Sequence, residues 1–202
     1  MNRLLLISLI LLGGCILMPK QEDKKLPALD SNDSIAVSNK LGKLRQLLLG
    51  PDSSQYQVAA AKLTITMIYT ESDTSRIIHA LRTDTAGYFA GYNKLLNLIV
   101  EDSSVRKFYT DILLLRKAYP ALVSGKYTLF DASNPYSCGF TKSDSKDTML
   151  IIYNLNEDNQ GFKGHFPFQT MALLLSNYED GPMPPIDTSI ALRPFEIRIS
   201  KL

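Results

Sequence analysis

Cys15 has the most chemistry built around it. It follows Leu12-Gly13-Gly14, and ahead of it Leu4 to Leu12 are apolar except for Ser8. Arg3 places a positive charge before that run. A charged start, a short apolar stretch and small residues form an export signal. Ending in a cysteine, this one resembles the bacterial lipobox. There the thiol receives a diacylglycerol and the cysteine becomes the new N-terminus, and the small residues let a peptidase reach the backbone. The run is far below the ~20 residues that span a bilayer as a helix. Cys15 is therefore the candidate lipidation site, and two or three acyl chains anchor stably where one does not. The expected location is the bacterial cell envelope. Ile16, which is not Asp, favours the outer membrane in a Gram-negative cell.

Other reactive side chains are sparse. His79 and His165 are the only histidines, and neither has a second one nearby. That spacing does not suit zinc. Ser72, Asp73 and His79 have the types for nucleophilic catalysis, but the G-x-S-x-G elbow is missing. Asp144, Asp147, Glu157 and Asp158 are loop acids without EF-hand spacing, so they read as solvated turns. No metal site and no cofactor are expected. Cys138, the second of two cysteines, alternates with Tyr136 and Phe140 and reads as a small buried residue. Tyr127, Phe130, Tyr136, Tyr153, Phe162, Phe166 and Phe168 read mostly as core. Any exposed cluster of them would be a platform for sugar rings. With 22 basic and 20 acidic residues, net charge +2 and no basic patch carrying aromatics, nucleic acid is not an expected partner.

Residues 1–15 are set aside as signal. Residues 16–38 are polar and charged, with few large apolar side chains, and cannot offset chain entropy; a disordered tether is expected. Leu41, Leu44 and Leu48 are helically spaced until Gly50-Pro51. Residues 55–69 begin with alanine-rich helix formers and drift to β-branched types, which predicts a helix passing into a strand. Helices are also expected from Asp73 to Arg82 and over 85–99. The strongest signal is at 104–118. Asp102 or Ser103 is the N-cap, Val105, Phe108, Tyr109, Ile112 and Leu115 form one apolar face, and Pro120 is the stop. Beyond it six strands are expected: Lys126–Asp131, Tyr136–Lys142, Thr148–Asn154, Gly161–Phe168, Met171–Tyr178 and Ile190–Leu202. Six short strands in about 80 residues predict a small antiparallel sandwich.

Four markers in order carry a resemblance. The first is Phe108-Tyr109, Leu115-Arg116, Pro120-Ala121-Leu122, Gly125 and Tyr127. The others are Met149 to Leu155, Leu174 to Tyr178, and Leu192-Arg193-Pro194-Phe195-Glu196-Ile197-Arg198-Ile199. Together they resemble the closing segment of α-amylase superfamily enzymes, the family 13 glycoside hydrolases, in which an antiparallel β-domain follows a (β/α)8 barrel. The match covers roughly residues 100–202. It implies an α+β fold: N-terminal helices, a remnant of a barrel edge, over 39–119, then a small antiparallel β-sandwich of the amylase C-terminal type over 120–202. Upstream, Val58 to Thr70 fits the first half of the family's last-barrel-strand segment, and its glycine, proline and aromatic signature is absent from Glu71 to Ala80. A rival alignment sets Asp73 on the family's transition-state-stabilising aspartate.

Family 13 hydrolysis needs a carboxylate nucleophile and a carboxylic acid about 5–5.5 Å apart. The family's nucleophile motif does not occur in these residues, so no catalytic residue is assigned and a non-enzyme is expected. The first reading is a lipid-anchored, non-catalytic protein, accessory to α-glucan or maltooligosaccharide binding or use. Its partners would be the membrane, an α-glucan or a glycosidase chain. The alternatives are a fragment of a split or truncated family glycosidase acting with another chain, whose strand edges near 58–70 would need a partner, and an unrelated β-sandwich envelope lipoprotein.

Overall fold

The computed structural model describes residues 48, 56–70, 90–130, 137–163, 170–181 and 189–202. The chain divides into two units, Met1–Ser31 and Asn32–Leu202, and every described residue lies in the second. The signal with Cys15, the tether and the segment holding Ser72, Asp73 and His79 fall outside the described residues. So do His165, Tyr136, Phe166 and Phe168.

Among the described residues four helical elements of known extent come first. They are α1 (Gln57–Thr70), α2 (Ala90–Glu101), α3 (Ser103–Ala118) and the single turn α4 (Ala121–Ser124). The expected passage of 55–69 into a strand is corrected: α1 is helical throughout. Burial decides this. Ala60, Ala61, Leu63, Ile65, Met67 and Ile68 are all buried. The hydroxyls of Thr64, Thr66 and Thr70 donate to the carbonyls of Ala60, Lys62 and Thr66 at 2.7, 3.1 and 2.8 Å. Tertiary burial outweighs a propensity difference of well under ~1 kcal/mol per residue. No strand edge exists at 58–70, so that argument for a partner chain falls.

α3 follows its sequence signals. Asp102 caps it, accepting from the backbone N–H groups of Ser104 and Val105 at 2.8 and 3.0 Å. Those bonds, first that from Val105, hold its carboxyl below the ordinary aspartate range. Val105, Phe108, Tyr109 and Ile112 are buried against the core. α3 ends at Ala118 with Tyr119 as its C-cap, as Pro120 predicts, and Pro120 then opens the separate turn α4. The α4 carbonyls of Leu122 and Val123 accept from Lys142 Nζ at 2.8 and 3.3 Å, which satisfies two C-terminal acceptors.

Among the described residues seven strands follow: β1 (Lys126–Phe130), β2 (Ser137–Ser143), β3 (Thr148–Asn154), β4 (Gln160–Lys163), β5 (Ala172–Ser176), β6 (Ser189–Leu192) and β7 (Ile197–Lys201). Antiparallel pairing gives a five-stranded sheet, β1-β2-β3-β7-β5, and a two-stranded sheet, β4-β6. The α+β class with a closing antiparallel β-domain is thus as expected. The alternation of β3 serves two apolar layers. Met149, Ile151 and Tyr153 join the core shared with the helices, while Leu150 and Ile152 pack with Phe162, Ile190 and Leu192.

Ile190–Leu202 is not one strand, and this is a second correction. It splits into β6 and β7, which lie in different sheets. Pro194 has no N–H to give a ladder, and Phe195 takes a positive φ of 52°. The chain turns there and crosses between layers. Cys138 is buried and not disulfide-bonded.

Gly139 shows how tightly the two sheets meet. A Cβ placed there would lie 2.3 Å from the ring of Phe162, a side chain with no exposure. Gly139→Ala is expected to destabilise by about 1–3 kcal/mol, the usual cost of overpacking. Adding Phe162→Leu should recover part of that loss. Urea midpoints of the two single variants and the double variant test this; additive losses would contradict it.

Candidate functional site: an arginine–carboxylate clasp

Among the described residues Glu196 is the one buried carboxylate, and it sits at the crossover between the sheets. The turn forms because Glu196 N–H donates to Arg193 O at 3.1 Å and Phe195 N–H to Asn156 O at 3.2 Å. Phe195 then points into the core, its ring 5.4 Å from that of Tyr56. Glu196 turns to the other side.

Two arginines close on it. Oε2 accepts from the backbone N–H of Arg193 at 2.7 Å and from its Nε at 3.2 Å. Oε1 accepts from Arg193 Nη2 at 3.2 Å and from Arg198 Nε at 2.8 Å. Arg193 reaches further, to Asp180 at 2.5 Å and the Gly181 carbonyl at 2.6 Å. Its guanidinium stacks 3.9 Å over the ring of Tyr178, whose hydroxyl donates to Pro194 O at 2.7 Å. Arg198 also donates to Ala191 O at 2.7 Å, on β6.

Burial alone pushes the Glu196 carboxyl upward. The hydrogen bonds from Arg198 and Arg193 outweigh it and hold the group below the ordinary glutamate range. A glycosidase acid needs the opposite, a carboxyl kept protonated near neutral pH. Four donors occupy the Glu196 oxygens, and Asp180 is engaged by the same arginine. The arrangement is an ion-paired fastener between β6, β7 and the loop after β5.

Asn177 completes it. Its Nδ2 donates to Phe195 O at 2.7 Å and to Ala59 O at 3.2 Å, and its Oδ1 accepts from Ile197 N–H at 2.9 Å. It ties the crossover to α1. Asn154 plays the same part from β3, its Nδ2 donating to Asp158 O at 2.7 Å and Arg193 O at 2.8 Å.

The loop acids do not converge. Asp144 accepts from the N–H groups of Lys146 and Asp147, both at 2.8 Å, in a tight turn. Asp147 pairs with Lys201 at 2.6 Å, and Asp158 lies in the turn beside Asn156. Among the described residues the exposed large apolar side chains are Val100, Leu114, Val123 and Leu173, all aliphatic. Tyr153 and Phe162 are buried, and Tyr127 and Phe130 are half-buried against the core. Period two along the closing strand sets Glu196 and Arg198 on one face, but the break at Pro194, which brings Arg193 to the same carboxylate, has no such sequence signal.

A second polar feature joins the helices. Lys62 of α1 is buried, with its ammonium 5.9 Å over the ring of Phe108. Burial lowers its pKa from the ordinary lysine value, partly offset by Glu179 and Asp102. Since the folded-state value is depressed, the penalty is full below that value and fades as pH rises through it toward the ordinary one. Lys62→Met is therefore expected to be more stable than the native chain at pH 7, by about 1 kcal/mol. The gap should narrow at alkaline pH. Melting temperatures from pH 7 to 10 check this, and a gap independent of pH would refute the cause.

No protein-family model matches this chain. Sequence relatives are glycosidases. It is 29% identical over 133 residues to an oligo-1,6-glucosidase of Parageobacillus thermoglucosidasius, covering 59% of this chain and 24% of that protein. It is 30% identical over 99 residues to the oligo-1,6-glucosidase of Heyndrickxia coagulans, covering 49% and 17%. The chain thus spans about a quarter or less of the length of these curated relatives. Two solved structures share its fold. One is the trehalose-6-phosphate hydrolase of Bacillus licheniformis, with TM-score 0.52, 14% identity and coverage of 74% of this chain and 40% of that one. The other is a trehalulose synthase, with TM-score 0.53, 19% identity and coverage of 76% and 40%. Helices followed by an antiparallel β-domain are the fold it shares with them. In sequence and in fold, the chain resembles the C-terminal part of family 13 glycoside hydrolases.

Proposed function

We propose that the chain serves as the closing unit of an α-amylase-type glycosidase and works with a polypeptide that brings the barrel strands and catalytic carboxylates. By itself it hydrolyses no glycoside. One observation carries this reading: its one described buried carboxylate is spent holding two sheets together. The glycosidase relatives, of which it spans a small share, support the same assignment. A free-standing glucan-binding role has less support, since the exposed apolar side chains among the described residues offer no aromatic face for a sugar. The reading includes attachment to the bacterial envelope through lipidated Cys15, supported by the residues leading up to that cysteine.

Two measurements test it. The full chain, assayed with p-nitrophenyl α-glucoside and isomaltose, should release no more product than buffer; hydrolysis abolished by an active-site-directed inhibitor would overturn the non-catalytic reading. Labelled palmitate should enter the native chain and be lost in Cys15→Ser, and labelling that survives the substitution would remove the anchor.

A further inference from the structure

The second half of α1 is Leu63-Thr64-Ile65-Thr66-Met67-Ile68-Tyr69-Thr70, eight residues without a charge, glycine or proline. Five are β-branched. Such side chains lose χ1 freedom in a helix and fit a strand better. As a strand the segment would set Leu63, Ile65, Met67 and Tyr69 on one face and mainly threonines on the other. An uncharged apolar stretch of this length is the composition that stacks into cross-β assemblies. In the structure it is a helix that gets no support from its own end charges: no acid stands in its first turn and no base in its last.

What keeps it helical comes from outside. Leu63, Thr64, Ile65, Thr66, Met67 and Thr70 are almost wholly buried. The last turn is fastened by α3: Arg116 donates to the Tyr69 carbonyl, and the hydroxyls of Tyr69 and Tyr109 pair at 3.2 Å. The Tyr69 and Tyr109 rings meet edge to face at 5.7 Å, and Arg116 lies over the Tyr69 ring. We propose that residues 63–70 are a latent β segment which α3 holds in helical form. When α1 parts from α3, the segment pairs as a strand with the same segment of other copies of this chain. The Arg116–Tyr69–Tyr109 contact is the latch.

The test holds the full chain just below its melting midpoint and follows thioflavin-T fluorescence and the amide I band. Arg116→Met releases the latch and should shorten the lag by about tenfold, through a larger open population. Thr64→Ala with Thr66→Ala raises helix propensity and lowers strand propensity, and should lengthen the lag whichever way it moves the melting temperature. Hydrogen exchange of the aggregate should show residues 63–70 protected and 103–118 open. Protection centred on β3 or β5 instead, the absence of β-rich aggregate, or a lag that tracks melting temperature alone would overturn the proposal.

Discussion

Glu196→Gln is expected to unfold the β-domain about 10 °C below the native chain. The substitution keeps the shape of the side chain and removes its charge. Arg198, buried and bonded to Oε1 at 2.8 Å, loses the negative charge it faces there. Breaking one partner out of a buried pair costs about 3–5 kcal/mol, against the modest net worth of the intact pair. At 2–4 °C per kcal/mol for a chain of roughly this size, the shift is well outside error. Removing both charges tells cause from context. Glu196→Met with Arg198→Met should cost less than Glu196→Gln alone, because no buried charge is stranded, though Ala191 O loses a donor.

The same carboxylate sets a pH dependence. Its folded-state pKa lies below its unfolded one, so its stabilisation is fully present above the ordinary glutamate value and is lost as pH falls through the depressed one. Between pH 7 and pH 3 the native chain should lose more stability than Glu196→Gln does. Urea midpoints across that range measure it, and parallel losses in both proteins would sink the assignment.

How much of this was legible depended on how local the deciding forces were. Asp102, the spacing from Val105 to Ile112 and the basic end of α3 are all within one helix, and the helix starts within a residue of where they predict. β3 spans Thr148–Asn154 as expected, because β-branched and aromatic residues fill it and polar turns bound it. The failures lie where distant residues decide. The second half of α1 reads locally as a strand, and burial in the core shared by the helices and the sheet makes it helix. The run from Ile190 reads as one alternating strand because Phe195, Ile197 and Ile199 keep period two. The left-handed φ at Phe195 and the proline before it are instead used to cross between sheets. The clasp is legible only in part for the same reason: period two sets Glu196 and Arg198 on one face, but Asp180 and Arg193 join them only once that crossover is made.

Asn177 is the sharpest case of a residue whose worth lies in distant partners. Its bond to Ala59 O spans 118 positions, and those to Phe195 O and Ile197 N–H hold the crossover. Asn177→Ala takes their side-chain partner from Phe195 O and Ile197 N–H in a nearly dry site, where each costs about 1–3 kcal/mol, while Ala59 O keeps its bond within α1. Some relaxation and entering water will soften the sum, so a loss of about 3–4 kcal/mol is expected. A local readout separates this from a generic cavity. The Ile197 amide should exchange with solvent faster in Asn177→Ala by at least the factor expected from global destabilisation, while the Ser104 and Val105 amides, held by Asp102, follow global unfolding alone. Asn177→Asp keeps the acceptor for Ile197 N–H and loses the two donors, so it should slow that one amide again without restoring the melting temperature. An Ile197 amide that behaves alike in the Ala and Asp variants would mean that packing, not this hydrogen bond, fastens the crossover to the helices.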